Sequence, residues 1–345
     1  MAATDDLAVQ VDGFDIVHAR ILRDFPKLVA ELGGDPDKLL ALAGVRDGGA
    51  GMTYRQLIHL MELAATKLGC FDFGMRLAKV QGGEGIFGPL GHVMKNSRTF
   101  GDALEYVRQH TYAHSLAARV WQRRDPASGE VFSGHDILID GAPNKCQAIE
   151  QLMLAGHLAA LELTGGHARV RRVYFRHQPV SSPEVYRRYF GCEVRFGQHA
   201  DGVIFFPQDL ESPILGPDVQ ALAEVTAYID RQFTRHRPPL HADVRGVVMQ
   251  LLGTGNCSNS RVADELNLHT RTLHRHLRSG GTSFQQIKDE VRRDLMLYYL
   301  TETDSDFTWI SERLGFAEQS VMTRRCNRWF GMSPTKVRIQ ARPDK

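Results

Sequence analysis

The sequence predicts two domains of different class. The first is an N-terminal α+β domain, helices plus a small, mostly antiparallel sheet; the second is a C-terminal all-α domain, a tandem helix-turn-helix joined by a long linker helix. Three observations carry this. A chain of 345 residues is long enough for two domains at roughly 150 residues each. The pair Pro238 and Pro239, set among Arg235, His236, Arg237 and His241, breaks the chain after a helical stretch. Beyond that break a segment repeats itself at an offset of 48 residues. The expected domains are therefore residues 1–237 and 238–345.

From Phe14 to about His110 apolar residues recur at helical spacing, in 17–32, 57–69 and 100–110. Shorter segments of strand character follow at 115–122, 129–140, 169–177 and 203–207. Between them, residues 147–165 read as one long helix stopped by Gly165 and Gly166, and 221–233 as another. Helices first, then strands around a helix, point to an α+β layer arrangement.

After the prolines every segment reads helical. Residues 258–268 align with 306–316. Ser258 and Asp306 are N-cap types, whose side-chain oxygens accept free N–H groups of a first helical turn. Val262 and Leu266 in one copy, Ile310 and Leu314 in the other, form the apolar face. Asn267 and Gly315 suit the positive φ of a tight turn. A second helix follows each turn, and each copy then reaches Gly-x-Ser. Ser283 with Gln286 reads as a capping box, and Ser333 puts Pro334 at the first helical position. The two units span about 244–278 and 306–330.

In such a unit the second helix enters the major groove of DNA. With Leu273 and Leu277 turned inward, Arg271, His274, Arg275 and Arg278 face out. With Met322, Cys326 and Phe330 turned inward, Gln319, Ser320, Thr323 and Arg324 face out, and Arg325 and Arg328 are placed for phosphates. Arg suits guanine O6/N7, Gln suits adenine, and Ser or Thr suits either partner. Residues 284–300 hold no Gly or Pro and read as a rod of about 25 Å, near the 34 Å or so of one turn of DNA. One chain would then read two unlike half-sites in successive grooves.

Charge distribution agrees. Residues 240–345 hold 16 Lys and Arg against 12 Asp and Glu, while the remainder is slightly acidic. That excess is too small for a purely charge-driven, non-specific DNA binder. Five widely spaced Cys without a CxxC exclude a disulfide framework or zinc finger, and suit reduced thiols in a cytoplasmic protein. The acidic start lacks the pattern of a secretory signal, and no apolar run of about 18 residues is present. Gly83-Glu84-Gly85-Ile86-Phe87-Gly88 matches GxGxxG but follows a helical segment, so a Gly-rich turn is expected rather than a nucleotide site. His110 and His114 have no third ligand in view, so no metal and no cofactor is expected. No nucleophile, P-loop or metalloenzyme motif appears, and the chain does not read as an enzyme. Trp121, Tyr174, His177 and Tyr186 are the candidate residues of an effector pocket in the strand-and-helix region.

At residues 310–338, ISERLGFAEQSVMTRRCNRWFGMSPTKVR, the chain resembles the C-terminal signature of AraC/XylS transcription regulators. Residues 271–287, RTLHRHLRSGGTSFQQI, are similar to the preceding helix-turn-helix of that family. The resemblance implies base-reading roles at Arg271, His274, Arg275, Gln319, Ser320, Thr323 and Arg324. The chain departs from the family pattern at His269, Met322, Cys326 and Val337. Residues 88–107 and 173–197 resemble the arabinose-binding-type domain of a subgroup that includes ornithine- and arginine-utilisation regulators. That implies a domain that senses a small molecule and mediates dimerisation. The implied partners are double-stranded DNA, an unknown effector, a second copy of the chain and, as a candidate, RNA polymerase. The alternative is an enzyme or modifying domain fused to a DNA-targeting module.

Overall fold

The computed structural model describes residues 14–17, 20–46, 49, 51–83, 85–142, 144–233 and 238–341. The basic residues Arg235, His236 and Arg237 of the expected linker, and Glu84 of the Gly-rich motif, lie outside the described residues.

The N-terminal domain begins with α1 (Phe25–Glu31), α2 (Pro36–Leu42), α3 (Tyr54–Lys67) and α4 (Phe73–Gln81). It continues with α5 (Pro89–Asn96), α6 (Phe100–Gln109), β1 (Ala118–Arg124), β2 (Val131–Ile137), α7 (Cys146–Leu163), β3 (Arg172–Tyr174) and α8 (Pro183–Phe190). It closes with β4 (Glu193–Arg195), β5 (Gly202–Phe205), α9 (Pro207–Glu211) and α10 (Val219–Gln232). The five strands form one sheet in the order β1-β2-β5-β3-β4. All pairings are antiparallel except β3 with β4.

One expectation about the elements needs correction. The helical periodicity of residues 17–32 becomes a helix only from Phe25, with Pro26 in its first turn, because a proline is favoured there and disrupts a helix interior. The segments holding α5, α8 and β4 carry no long apolar period of their own. Packing decides them: α5 caps the small cluster of Leu90, Val93, Ala113 and Ile229, and α8 buries Tyr186 and Phe190. The Gly-rich motif ends in a short 3-10 turn, Gly85–Phe87, between α4 and α5.

The core of this domain is built around α7. Fourteen of its 18 residues are buried, so it is apolar on nearly all sides and takes neighbours all round. Its buried polar residues hold the surrounding segments in place. Gln147 accepts from the Gly74 backbone N–H at 2.8 Å and donates to the Phe71 carbonyl at 2.7 Å. Gln151 donates to the carbonyl of Ile21 at 3.1 Å and to the Gln81 side chain at 2.8 Å. Gly74 lets α4 approach this closely: a Cβ there would stand 2.1 Å from the Gln147 carbonyl oxygen.

The C-terminal domain comprises α11 (Leu240–Leu251), α12 (Asn259–Glu265), α13 (Thr270–Ser279), α14 (Phe284–Glu302), α15 (Phe307–Arg313), α16 (Gln319–Phe330) and α17 (Pro334–Ala341). A single apolar cluster runs through both helix pairs, from Val262, Leu273 and Leu277 to Ile310, Leu314, Met322 and Cys326, with Ile287, Val291 and Leu300 of α14 between them. The turns use the expected conformations, with φ of 53° at Asn267 and 63° at Gly315. At Gly315 a Cβ would also meet the Leu252 carbonyl oxygen at 2.4 Å, so this turn excludes a side chain on two counts.

Replacing Gly74 by Ala is expected to destabilise the protein by about 1–3 kcal/mol, since the new methyl must push α4 off α7. Urea denaturation measures this. His135 and His157 give a second prediction. Burial pushes both imidazoles down to about 4, against the nearby Asp136 and Asp201 in the case of His135. Their folded values lie below the unfolded value of about 6.5. The unfolded chain therefore takes up protons first, and stability falls as pH drops from about 6.5 towards 4. The double variant His135→Gln, His157→Gln should flatten that part of the profile of urea midpoint against pH.

Candidate nucleic-acid interface and the domain junction

Each exposed second helix is positioned by a capped first helix. The Ser258 hydroxyl accepts from the Arg261 N–H at 3.2 Å, and the Asp306 carboxylate accepts from the Trp309 N–H at 2.8 Å. His269, an unusual cap type, serves α13 through ring Nδ1, which accepts from the Arg271 N–H at 3.3 Å. Ser283 caps α14, but the Gln286 side chain turns to Glu290 rather than back to the cap, so the box expected there is only half formed.

On α13, Leu273 and Leu277 are buried while Arg271, His274, Arg275 and Arg278 are exposed. His274 also meets the Asn259 side chain of α12. On α16, Met322 and Cys326 are buried, and Gln319, Ser320, Arg324 and Arg328 are exposed. Thr323 is half-buried, and so is Phe330, which the spacing turned fully inward. Arg325 is drawn off by an ion pair with Asp289 of α14 at 3.2 Å. Gln319 accepts from the Thr308 hydroxyl at 3.1 Å, and Ser320 donates to Glu318 at 3.0 Å. Two helices thus present long polar side chains on one face and an apolar back on the other.

The four candidate effector residues fall into two places. Trp121 and Tyr174 flank Phe132 on the outer face of the sheet, with ring centroids 5.2 and 5.7 Å from it. Gly134 makes room for the indole, because a Cβ there would stand 2.3 Å from the Trp121 ring. His177 and Tyr186 instead surround the buried Glu150 of α7. The Tyr186 hydroxyl donates to Glu150 at 2.5 Å, and His177 Nε2 lies 3.6 Å from the same oxygen. Burial pushes the Glu150 carboxyl well above the usual carboxylate range, against the lowering effect of the Tyr186 hydrogen bond. His177 Nδ1 donates to the Gln178 carbonyl at 2.8 Å, and burial holds the ring neutral. The two candidate metal ligands are engaged elsewhere: His110 stacks on Tyr106 with centroids 3.8 Å apart, and His114 bonds the Tyr54 hydroxyl at 2.6 Å.

The sequence did not signal how the domains meet. Arg176 pairs with Asp136 at 2.9 Å and Asp201 at 3.3 Å, and Gln250 of α11 donates to the same Asp136 at 3.0 Å. Asp294 of α14 accepts from the Gly141 N–H at 2.9 Å, and the Tyr298 hydroxyl accepts from the Gln178 N–H at 3.1 Å. Arg313 of α15 donates to the Gly197 carbonyl at 2.7 Å and contacts the His199 ring at 2.9 Å. The partners that cross from one domain to the other lie more than a hundred residues apart, and no periodicity links them. A cavity of about 80 Å³ opens at this junction, walled by β2 and α7 on one side and α11 and α14 on the other. Another, of about 90 Å³, lies under the sheet among apolar side chains and His135.

Comparison with known proteins agrees with this architecture. A family described as the arabinose-binding domain of AraC transcription regulators matches residues 33–214, and a helix-turn-helix domain family matches 262–340. The HTH-type transcriptional regulator VirS of Mycobacterium tuberculosis is 32% identical over 329 residues, covering 94% of this chain and 96% of that protein. The ornithine utilization regulator of Pseudomonas aeruginosa is 28% identical over 258 residues, covering 73% and 74%. The solved structure of the transcriptional regulator CdpR from Pseudomonas aeruginosa aligns at a TM-score of 0.44 and 20% identity, over 88% of this chain and 96% of that one. Two helix-turn-helix units behind an α+β domain define a DNA-binding transcription regulator rather than an enzyme. The chain belongs to the AraC family, in the group with an arabinose-binding-type N-terminal domain.

Proposed function

We propose that this protein is a cytoplasmic, sequence-specific regulator whose N-terminal domain, up to residue 237, senses a small-molecule effector and pairs with a second copy. Residues 238–345 then carry the DNA-reading function, with RNA polymerase a partner at the promoter. On this reading α13 and α16 enter successive major grooves. Arg271, His274, Arg275 and Arg278 serve the first groove; Gln319, Ser320, Thr323 and Arg324 serve the second, and Arg328 lies against phosphate. The observation that supports this most is the exposure of these side chains, Thr323 alone being half-buried, on two helices whose apolar backs share one core. α14 supports a fixed spacing: 19 residues make a rod of about 28 Å, so the two half-sites lie roughly one helical turn apart. The effector acts by preferring one arrangement of the domains, which shifts the population of DNA heads able to bind.

The test begins by selecting bound duplexes from a randomised pool. Against the selected duplex, Arg275→Ala should weaken binding by about 1–3 kcal/mol and relax the preference at one base position. Arg328→Ala should weaken all duplexes alike and reduce the salt slope by about 1. An Arg275→Ala protein with unchanged affinity for the selected duplex would overturn the groove assignment.

A further inference from the structure

The cavity at the domain junction has an unusual charge arrangement. Five charged side chains line it: Lys145, Arg176, Asp201, Arg245 and Asp294. Four of them sit in ion pairs. Arg176 is held by Asp136 and Asp201, and Arg245 by Glu290 at 2.5 Å and Asp294 at 3.7 Å. Lys145 is the exception. Its ammonium donates to the carbonyls of Ile137 and Ile139 at 3.2 and 3.3 Å, and among the described residues no carboxylate lies within ion-pair distance of it. An ammonium has three donors, so one proton is left without a protein acceptor. A desolvated charge of this kind is costly unless something pairs with it. The rest of the wall is largely apolar, including Ile139, Ile149, Met249, Val291, Leu295 and the Tyr298 ring.

We propose that this cavity is the effector site and that it takes a small monocarboxylic acid, whose carboxylate pairs with Lys145 and whose apolar body lies between α7 and α14. This rests on the reading of the protein as an effector-controlled regulator. The carboxylates in the wall already have partners, so an amine finds no free anion there, whereas an acid meets Lys145, which among the described residues has no ion-pair partner. The volume admits about five to eight water-sized bodies, the scale of an acid of six to eight non-hydrogen atoms. Because β2 and α7 form one wall and α11 and α14 the other, the bound acid touches both domains at once. It therefore stabilises their docked arrangement, and by linkage the acid and the DNA alter each other's affinity by the same factor. Burial, with Arg245 and Arg176 nearby and Asp294 and Asp201 opposing them, pushes the Lys145 ammonium down to about 8, so it is mostly charged at neutral pH.

Calorimetric titration of the full chain with hexanoate, hexan-1-ol and hexylamine tests the proposal. Hexanoate should bind at least about tenfold more tightly than either neutral or cationic analogue, the margin of one charge-assisted hydrogen bond. That margin should shrink as pH rises through about 8. Lys145→Met should remove it by weakening hexanoate binding far more than hexan-1-ol binding, and Lys145→Arg should retain part of it. If hexanoate does not bind, binds no better than hexan-1-ol, or binds equally well to a folded Lys145→Met protein, the proposal fails. A preference for the alcohol would point to the neutral cavity under the sheet. The wild-type comparison and its pH profile decide the matter even where Lys145→Met does not fold. Titration of the same samples with a duplex selected from a randomised pool keeps the two readings apart: loss of acid binding with intact DNA binding sinks only the ligand assignment, and the reverse sinks only the regulator reading.

Discussion

Helix α14 has to satisfy three neighbours at once, and most of the molecule follows from that constraint. Ile287, Val291 and Leu300 belong to the one core that both helix pairs share. Tyr298 and Asp294 turn to the N-terminal domain. Arg292 donates to the carbonyls of Leu314 and Gly315 at 2.9 and 2.5 Å, tying the second turn to the rod. A helix with so few free sides cannot shift relative to one partner without disturbing the other two. The spacing of α13 and α16, and their relation to the N-terminal domain, are therefore set by the same residues.

This arrangement explains where the polar groups of the junction are found. Arg176 is largely buried against the buried Asp136 and Asp201, and Arg245 is buried against the half-buried Glu290 and Asp294, an arrangement that contributes little net stability but is costly to break on one side only. Each set of pairs lies within one domain, and the two sets meet across the junction through Gln250, which donates to Asp136, and through Arg245, 4.0 Å from Asp140. Arg313 extends the junction to the second helix pair by its contacts with Gly197 and His199. The N-terminal domain thus touches the rod and α15 directly, rather than only through the chain around Pro238.

The exposed faces of α13 and α16 were legible in the sequence because they rest on local rules. The N-caps at Ser258 and Asp306, the turn residues Asn267 and Gly315, and the inward pairs Leu273/Leu277 and Met322/Cys326 each lie within a few residues of what they control. Arg325 shows where local reading stops. Its helical position points outward, but Asp289 lies close by in space, and an available carboxylate competes with solvent and phosphate for the guanidinium. The effector residues were less legible for the same reason. Trp121 and Tyr174 share a sheet face with Phe132 only because β1, β2 and β3 come together out of sequence order. His177 and Tyr186 converge on Glu150, which no motif singled out.

By itself the sequence determined the two domain classes, the repeated helical pairs and the identity of the side chains they present. These depend on periodicity, caps and turns, which act over one or two helical turns of chain. Tertiary structure alone decided that Lys145 would stand without an ion-pair partner at a junction between domains, that Glu150 would be buried beside Tyr186, and that Gly74 would carry a backbone contact between helices. Those outcomes depend on which distant segments exclude water from a group and which leave it a partner, and desolvation is a property of the assembled interior.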